Sequence, residues 1–556
     1  MQKKIVIIGG VAGGATAAAK ARRLNEQADI ILLERGANIS FANCGLPYYI
    51  GDVIEDRDDL LVTTAAAFSK RYRIDVRPLS EVTNIDRGNK ILMIKNHATG
   101  DTYKECYDKM ILSPGAVPIR PPLHGGDNRK VFTLRTLEDA DAIKSYIDQC
   151  HPTAAVVMGG GFIGLEMIEN LVKRGIKTTL LEKMDQVLMF LDPEMAAIVE
   201  ASLKDSGVGV ELGQGLSAVN DHSKGLHVVT SAGKEIVCDM LILSVGIQPD
   251  NALAKQAGLE TFGRGHIKVD SSLLTSDPHI YAVGDAICTH DLVLGVPTVT
   301  ALAGPANKQA RIAACNAMDY FAAFRGTLGT SVVKLFDLTA ASTGANEKAL
   351  MTHGIPYLVS FTHSASHASY YPGSQMMAIK LLFAPDDGRI LGAQIVGGEG
   401  VDKRIDVLAT ALRGDMRVAD LEELELAYAP PYSSAKDPVN VAGFVANNIL
   451  KGDMQVVTWR DMKTLPDDHR LIDLREDTEL DAVEPLKGAI HIPLGDLRSR
   501  LSELDRMKTY IVYCAIGLRG YIAFRILIQH GFKVRNLSGG LRTYVPASLC
   551  FSQVSD

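Results

Sequence analysis

Two of the eight cysteines lie in sequence contexts where a thiol could carry out chemistry. Cys44 lies in the run SFANCGLPYY (residues 40–49) without a second cysteine nearby, and Cys514 begins the run CAIGLRG (residues 514–520). A lone thiolate can form a mixed disulfide, a persulfide or a sulfenic acid with the group that it attacks. Both cysteines are therefore candidate nucleophiles, and the elements around them decide what they react with.

The residues around Cys514 favour a negative charge on its sulfur. The run YIVY (residues 510–513) predicts a strand, a helix is predicted after residue 520, and Arg519 lies in the loop between them. Converging loop N–H groups, a helix N-terminus and a guanidinium all stabilise an anion. This pattern predicts a reactive thiol in a small α/β unit.

The chain begins with a predicted strand (Lys4–Ile8), a glycine-rich turn and a predicted helix (Ala15–Leu24). This order places backbone N–H groups and a helix N-terminus at one point, which suits a pyrophosphate. The next predicted strand ends at Glu34, whose carboxylate can accept hydrogen bonds from ribose hydroxyls. Val11 departs from the middle glycine of the GxGxxG pattern. The cofactor-binding glycines of this unit are Gly9, Gly10, Gly13 and Gly14.

A second unit of the same kind follows and matches GxGxxG at Gly159, Gly161 and Gly164. A predicted strand at Ala154–Met158 precedes the turn, and the strand after the helix delivers Glu182. A carboxylate there repels a 2′-phosphate, which favours NADH. The adjacent cation Lys183 leaves NADPH open.

Two such units in series indicate electron transfer between two nucleotides. The later run TSDPHIYAVGDA (residues 275–286) resembles the second FAD signature of two-dinucleotide flavoprotein reductases. Residues 113–116 and 244–249 resemble the crossovers between the FAD and nicotinamide domains of those enzymes. The resemblance implies FAD in the first unit, with Gly284 and Asp285 at its ribityl chain, and NAD(P)H in the second.

The Cys44 run closely resembles coenzyme A-disulfide reductases and their NADH-dependent persulfide reductase relatives, a likeness that covers residues 1–445. It implies that Cys44 holds the substrate sulfur, which reduced flavin releases. It also implies that coenzyme A contacts Ser40, Asn43, Thr16, Lys20 and Arg23. Two cations on the first helix suit an ADP-type ligand, because phosphate oxygens form charge-assisted hydrogen bonds with them.

From Gly326 onwards, β-rich patterning predicts strands at Ser331–Phe336, Tyr357–Phe361, Ala378–Phe383 and Ile390–Val396. This region resembles the dimerisation domain of the same reductases. That resemblance implies a homodimer in which Tyr370 and Tyr428 serve the partner's catalytic site, where a phenol can donate a hydrogen bond or a proton to a thiolate.

The last hundred residues, with LIDLRE (471–476), GAIHIP (488–493), the Cys514 loop and LSGG (537–540), resemble a single-domain rhodanese. In that family the cysteine carries a persulfide and the loop, which includes Arg519 here, surrounds the terminal sulfur. The predicted fold class is therefore α/β with two Rossmann-like domains, an α+β dimerisation domain and a rhodanese domain. We expect FAD-binding parts at 1–117 and 245–325, a nicotinamide domain at 118–244, a dimerisation domain at 326–450 and a rhodanese-like domain at 451–556.

Composition and net charge limit which binding partners and which cellular compartment we expect. A net charge of -7 argues against nucleic acid as a partner. The sequence contains no long apolar run, and its cysteines form no CxxC pair or metal-ligand spacing, so we expect a cytoplasmic protein with neither a membrane span nor a metal.

The sequence thus predicts an enzyme that uses NADH and FAD to reduce coenzyme A persulfide, polysulfide or coenzyme A disulfide. Two alternatives stay open at this point. Single-cysteine NADH oxidases and peroxidases share this framework and cycle through a sulfenic acid. A non-catalytic flavin redox sensor would carry the same nucleotide motifs.

Overall fold

A computed structural model describes residues 3–122, 125–222 and 225–549, and Cys550 lies outside these ranges. The chain forms two compact units, one of Met1–Met184 with Val208–Gly329 and one of Asp185–Gly207 with Thr330–Asp556. Within the described ranges, no helix combines the length and the apolar character that crossing a membrane requires.

The first unit contains two five-stranded parallel sheets. Both sheets have fully buried central strands of β-branched and aliphatic residues, which is typical of parallel sheets covered on both faces. The strands of the first sheet are, in spatial order, Ile280–Ala282, Lys109–Leu112, Lys4–Ile8, Asp29–Leu33 and Asp75–Arg77. Those of the second are Gly209–Glu211, Lys177–Leu181, Ala154–Met158, Met240–Leu243 and Val131–Phe132. This arrangement confirms the two predicted Rossmann-like sheets.

Helices and smaller sheets complete the first unit. Its α-helices are Ala12–Leu24, Leu46–Ile50, Ala65–Tyr72, Leu137–Cys150, Phe162–Lys173, Ala252–Gln256 and Ala303–Ala317. Two antiparallel sheets of three strands contain Ser80–Asp86, Ile91–Asn96 and Thr102–Cys106, and Leu216–His222, Gly225–Thr230 and Glu235–Cys238. The remaining strands are Ala116–Pro118, Ile247–Pro249, Thr261–Phe262, His266–Lys268, Ile287–His290 and Pro297–Thr298.

The second unit contains a five-stranded antiparallel sheet, in the order Ser331–Leu335, Leu338–Gly344, Ile390–Gly397, Met376–Phe383 and Leu358–Ala365. The strand Leu338–Gly344 is absent from the sequence prediction, because its run LTAASTG consists mainly of small and polar residues. The helices of this part are Pro193–Asp205, Glu347–Thr352, Val401–Arg413, Val418–Glu423 and Pro438–Leu450.

The C-terminal part is a parallel sheet of Val456–Val457, Lys533–Leu537, Thr509–Tyr513, His469–Asp473 and Ile490–His491, with helices Leu518–Gln529 and Gly540–Leu549. The Cys514 loop follows the central strand Thr509–Tyr513, as predicted. The chain's 3-10 helices are Asn43–Gly45, Arg57–Leu60, Gly284–Ala286, Asp461–Thr464, Asp477–Glu479 and Leu501–Glu503.

This C-terminal part packs against the edge strand Leu358–Ala365 of the antiparallel sheet. The backbone N–H of Phe361 donates a hydrogen bond to Ser538 Oγ at 3.3 Å, and His363 Nε2 lies 2.8 Å from Thr543 Oγ1. Phe361 also packs in a small apolar cluster with Trp459 and Ala547. The two parts of the second unit therefore share a hydrogen-bonded and apolar interface.

A buried charge cluster lies in the same unit. The fully buried Lys380 ammonium contacts Asp192 at 2.7 Å, Glu347 at 3.5 Å and also Glu194. Arg460, from the C-terminal part, pairs with Glu347 at 2.5 Å. The three carboxylates lie close enough together to share one cation, and Lys380 provides it.

Replacing Lys380 by methionine should destabilise the second unit by about 3–5 kcal/mol, because the buried carboxylates lose their shared cation. Burial already raises the pKa of Glu347. Glu347 therefore protonates more readily than in the unfolded chain, so the deficit should shrink as the pH falls. Urea unfolding at about pH 5 and about pH 8, followed by fluorescence of the single tryptophan, measures both effects.

The exposed Lys348 gives a matched control, because Lys348→Met removes the same charge from the surface. An equal loss of stability in the two variants would contradict the role assigned to Lys380.

Candidate functional site

The two strand–turn–helix units of the first compact unit have the same geometry. Gly9 and Gly159 have φ values of +95° and +110°. A Cβ on Gly14 would lie 1.7 Å from the Gly9 carbonyl oxygen, and one on Gly164 would lie 1.8 Å from that of Gly159. Only glycine lets the helix approach the end of the strand this closely.

Each unit fixes its carboxylate in the same way. Glu34 accepts hydrogen bonds from the backbone N–H groups of Gly10 and Gly36, both at 2.7 Å. Glu182 accepts them from Gly160 at 2.6 Å and from Met184 at 2.7 Å. Both carboxylates are thus held at the glycine turn, where a ribose beside a pyrophosphate would lie.

The residues present fit a dinucleotide in each unit. Neither helix Ala12–Leu24 nor helix Phe162–Lys173 has a side-chain N-cap or an acidic residue in its first turn, so both N-termini suit an anion. A Cβ on Gly161 would meet no described protein atom within 4 Å. Protein packing does not require a glycine at Gly161, whereas close approach of a ligand does.

Asp285 lies in the 3-10 helix Gly284–Ala286, directly after the strand Ile280–Ala282 of the first sheet. Its carboxylate forms an ion pair with Arg135 at 2.9 Å. A Cβ on Gly13 would lie 2.5 Å from Ser113 Oγ and 3.0 Å from Val283 Cγ2. The close packing at Gly13 therefore brings the start of the first helix next to the segment that leads into Gly284 and Asp285.

Cys44 lies in the 3-10 helix Asn43–Gly45 and is exposed. Protein atoms still surround its thiol closely enough that loss of hydration raises its pKa, and the negative charges of Glu166 and Asp285 raise it further. The Arg135 cation acts in the opposite direction. Cys44 is therefore close enough to be influenced by both Glu166, on the helix of the second nucleotide unit, and Asp285 of the first.

The pKa of Glu166 is itself shifted. Loss of hydration, and then the charge of Glu169, raise the pKa of Glu166 to about 7. The Tyr48 hydroxyl donates to the Glu166 carboxylate at 3.5 Å. Burial, together with the Glu166 charge, raises the pKa of Tyr48 to about 12. The Cys44 thiol thus has a neighbouring carboxyl group that titrates near neutral pH.

Ser40 and Asn43 belong to the same segment as Cys44. Ser40 has a φ of +49°, in the left-handed region that few non-glycine residues adopt, and its N–H donates to the Gly10 carbonyl at 2.9 Å. The Asn43 side-chain amide lies 3.5 Å from the Arg135 carbonyl. This backbone geometry ties the Cys44 segment to the first glycine turn.

The predicted coenzyme A contacts on the first helix lie at positions 16, 20 and 23, a spacing that puts them on one helical face. Thr16 and Lys20 are partly buried, and Arg23 is exposed. The Thr16 hydroxyl hydrogen-bonds to Asn307 Oδ1 at 2.5 Å. Asn307 lies on the helix Ala303–Ala317 and extends the polar surface there.

The predicted tyrosines lie together in the second compact unit. The hydroxyl groups of Tyr370 and Tyr428 are 2.9 Å apart. Tyr370 is 74% exposed and Tyr428 is 48% exposed. Their hydrogen bond raises the pKa of Tyr370. The two residues form an exposed phenol pair, which the sequence did not predict.

Cys514 is buried at the start of its loop. Its sulfur accepts a hydrogen bond from the Gly517 N–H at 3.2 Å, and Gly517 has a φ of +95°. Arg519 pairs with both oxygens of Glu479, at 2.5 and 2.7 Å. This ion pair raises the pKa of Arg519, and the nearby Cys514 sulfur raises it further by a smaller amount.

Several residues of these sites were not predicted from the sequence: Gly160, Arg135, Glu166, Asn307 and Glu479. Gly160 stands inside the matched glycine run, so its position was a usable signal. The other four are polar residues in ordinary helical or loop sequence, and their partners are distant along the chain.

Comparisons with known proteins identify the families of the three parts of the chain. A family model for pyridine nucleotide-disulphide oxidoreductases matches residues 3–310, one for their dimerisation domain matches 330–438, and one for rhodanese-like domains matches 458–547. Coenzyme A disulfide reductase from Staphylococcus haemolyticus (strain JCSC1435) is 36% identical over 448 residues, which cover 80% of this chain and 100% of that relative.

Two solved structures resemble nearly the whole chain. The crystal structure of reduced Bacillus anthracis CoADR-RHD has a TM-score of 0.96 and 49% identity, and the match covers 98% of each chain. An NAD-dependent persulfide reductase from A. fulgidus has a TM-score of 0.91 and 37% identity, with 97% of this chain and 100% of that chain covered. FAD and NAD(H), the cofactors of this family, fit the two glycine–carboxylate units. The chain therefore belongs to the pyridine nucleotide-disulphide oxidoreductases, with the dimerisation domain of that family and a C-terminal rhodanese-like domain.

Proposed function

We propose that this enzyme uses NADH to reduce coenzyme A persulfide, polysulfide or coenzyme A disulfide through Cys44, and that Cys514 carries sulfane sulfur in the same reaction system. The observation that supports this most strongly is the position of Cys44. Its thiol is influenced by Glu166 of one nucleotide unit and by Asp285 of the other. A group placed there can receive electrons that pass between the two nucleotides.

The reaction balances as RSSH + NADH + H⁺ → RSH + H₂S + NAD⁺. The Cys44 thiolate attacks the substrate and forms a mixed disulfide with R, while the leaving sulfur takes the electron pair and a proton. When bound, FAD supplies the two electrons from NADH that cleave this disulfide. We assign FAD binding to the first glycine turn with Glu34, Gly284 and Asp285, and NADH binding to the second turn with Glu182.

We assign coenzyme A to the polar surface of Thr16, Lys20, Arg23, Ser40 and Asn43. The cations at 20 and 23 suit its phosphates, and the backbone tie of Ser40 to the first glycine turn positions the sulfur end. Glu182 favours NADH over NADPH, because its fixed carboxylate would repel a 2′-phosphate.

We also propose that the chain acts as a homodimer, through the matched dimerisation domain. In this arrangement Tyr370 and Tyr428 donate a hydrogen bond or a proton to the thiolate in the partner's site. Their mutual hydrogen bond and exposure support such a role. The proposed domain boundaries follow residues 117, 244, 325 and 450. They separate, in chain order, the first FAD-binding part, the NADH-binding domain, the second FAD-binding part, the dimerisation domain and the rhodanese-like domain.

The proposed setting is the cytoplasm, with small thiols and persulfides as partners. The seven described cysteines are free thiols, which suits a reducing compartment.

The first test is anaerobic NADH consumption by the purified flavoprotein with coenzyme A persulfide or with coenzyme A disulfide, together with a sulfide assay. We expect fast turnover with sulfide release from the persulfide. Fast turnover with the disulfide alone would assign a thiol-homeostasis role. Acceleration only by oxygen or peroxide would favour the sulfenic-acid alternative, and no acceleration by any acceptor would favour the redox sensor.

A Cys44→Ser variant should lose NADH-linked reduction of both sulfur substrates by at least about a hundredfold, because the attacking thiolate is gone. The flavin should still be reduced by NADH in stopped-flow spectra. The exposed Cys150 provides the control, since Cys150→Ser removes a thiol without touching the site. Persistent sulfur reduction in Cys44→Ser would contradict the central assignment.

A Cys514→Ser variant should lose sulfane-sulfur uptake, measured as cyanide-releasable sulfur on the protein, and keep NADH-linked reduction of coenzyme A disulfide. Disulfide reduction should be retained because, in this proposal, only Cys44 attacks coenzyme A disulfide. Unchanged turnover of sulfane sulfur in this variant would show that Cys514 has no part in the reaction.

Replacing Glu166 by glutamine should shift the alkylation of Cys44 to lower pH, because a negative charge that raises the thiol pKa is removed. The measurement is the rate of iodoacetamide labelling of the Cys44 peptide against pH, by mass spectrometry. Glu138→Gln, at an exposed position, is the matched control. A profile that does not move would mean that Glu166 does not control this thiol.

A further inference from the structure

The only cation in the Cys514 loop is neutralised by a neighbouring carboxylate. Glu479 meets Arg519 through both oxygens, and this pairing lowers the pKa of Glu479 to about 2. The pair therefore stays ionised throughout the physiological range. An anion that approaches Arg519 meets a carboxylate at the same place, which weakens the attraction that a free guanidinium would exert.

Glu479 belongs to an acidic surface segment. The run REDTELDAVE (residues 475–484) contains five carboxylates, at Glu476, Asp477, Glu479, Asp481 and Glu484. Its one cation, Arg475, is buried and pairs with Asp473 at 2.7 Å. Among its acidic residues only Glu479 is partly buried, and the other four are exposed. The segment that supplies the partner of Arg519 therefore carries a net negative charge.

The other side of the loop has a different character. Ile516, Gly517 and Leu518 line a cavity of about 280 Å³, together with Phe361, Val441, Val445, Met454 and Tyr521. Leu518 is 61% exposed. The exposed Lys436 also lines this cavity. Burial, and then the charge of the exposed Arg542, lowers the pKa of the wall residue His363, so Arg542 lies close to this wall. Apolar surface and cations thus lie on the cavity side.

We infer that the Cys514 site selects its sulfur donor by charge: it takes sulfane sulfur from a persulfide on an uncharged organic arm and discriminates against the thiosulfate dianion. The Arg519–Glu479 pair offers a small dianion no net positive charge, and the acidic segment repels it. The cavity offers apolar surface to the organic arm of a persulfide donor. This inference rests on the proposed role of Cys514 as a sulfur carrier and adds the class of donor.

Sulfur transfer to Cys514 balances for either donor, a persulfide or thiosulfate, without an added oxidant or reductant. From a persulfide, the Cys514 thiolate attacks the outer sulfur of RSSH, the S–S bond breaks, RS⁻ leaves with the electron pair, and Cys514–S–SH forms. From thiosulfate, the same attack would release sulfite and give Cys514–S–S⁻. Cyanide then removes the outer sulfur as thiocyanate and restores the thiolate.

The test uses the full-length flavoprotein without NADH and compares pantetheine persulfide with thiosulfate as donors and cyanide as acceptor. The quantity measured is the ratio of kcat/KM for thiosulfate to kcat/KM for the persulfide. In Glu479→Gln this ratio should rise about tenfold or more, because one negative charge near the bound dianion is removed. The rise should shrink with added salt.

Two further variants separate charge from structure. Glu503→Gln removes an equal charge from another ion pair of the same domain, with Arg500, and should leave the ratio unchanged. Adding Arg519→Gln to Glu479→Gln should abolish the gain, since the freed guanidinium causes it. A wild-type ratio near one, or a ratio in Glu479→Gln equal to the wild-type value, would overturn this inference and leave the carrier role of Cys514 intact. No transfer from either donor would overturn both.

Discussion

The nucleotide-binding half of this enzyme depends on one steric constraint that occurs twice. A strand ends at a glycine with positive φ, and its carbonyl lies where a Cβ of the later helix glycine would otherwise be, at Gly9 with Gly14 and at Gly159 with Gly164. Without these contacts the helix N-terminus would move away from the end of the strand. The carboxylates Glu34 and Glu182 could then no longer accept N–H groups of the glycine turn.

The same constraint explains how Cys44 is positioned. Ser40 hydrogen-bonds to the carbonyl of Gly10, so the Cys44 segment is anchored on the first turn. Helix Leu46–Ile50 packs against helix Phe162–Lys173, which starts at the second turn and carries Glu166. Both turns therefore contribute to the surroundings of one thiol: the charges of Glu166 and Asp285 raise its pKa, and the Arg135 cation lowers it.

The sequence predicted the parts of this enzyme that depend on local pattern. Glycine spacing, buried β-branched strands and the two cysteine motifs identify the sheets, the turns and the candidate nucleophiles. Side-chain contacts between residues far apart in the sequence were not predicted: the pairs Arg135–Asp285, Thr16–Asn307 and Glu479–Arg519. A glutamate in an acidic run has no local signal that identifies it as the partner of an arginine in the Cys514 loop. The strand Leu338–Gly344 was missed because only sheet pairing, and not its composition, makes it a strand.

The rhodanese-like domain also covers a sheet edge. Strand Leu358–Ala365 is the last strand of the antiparallel sheet, and the domain covers it through Ser538, Thr543 and Trp459. An uncovered edge strand presents unpaired backbone groups to other chains and promotes aggregation. A shortened enzyme that ends near residue 450 would therefore need charged or proline substitutions on that strand to remain in solution. The presence of the rhodanese-like domain and the sequence of that edge strand are thus expected to vary together among relatives.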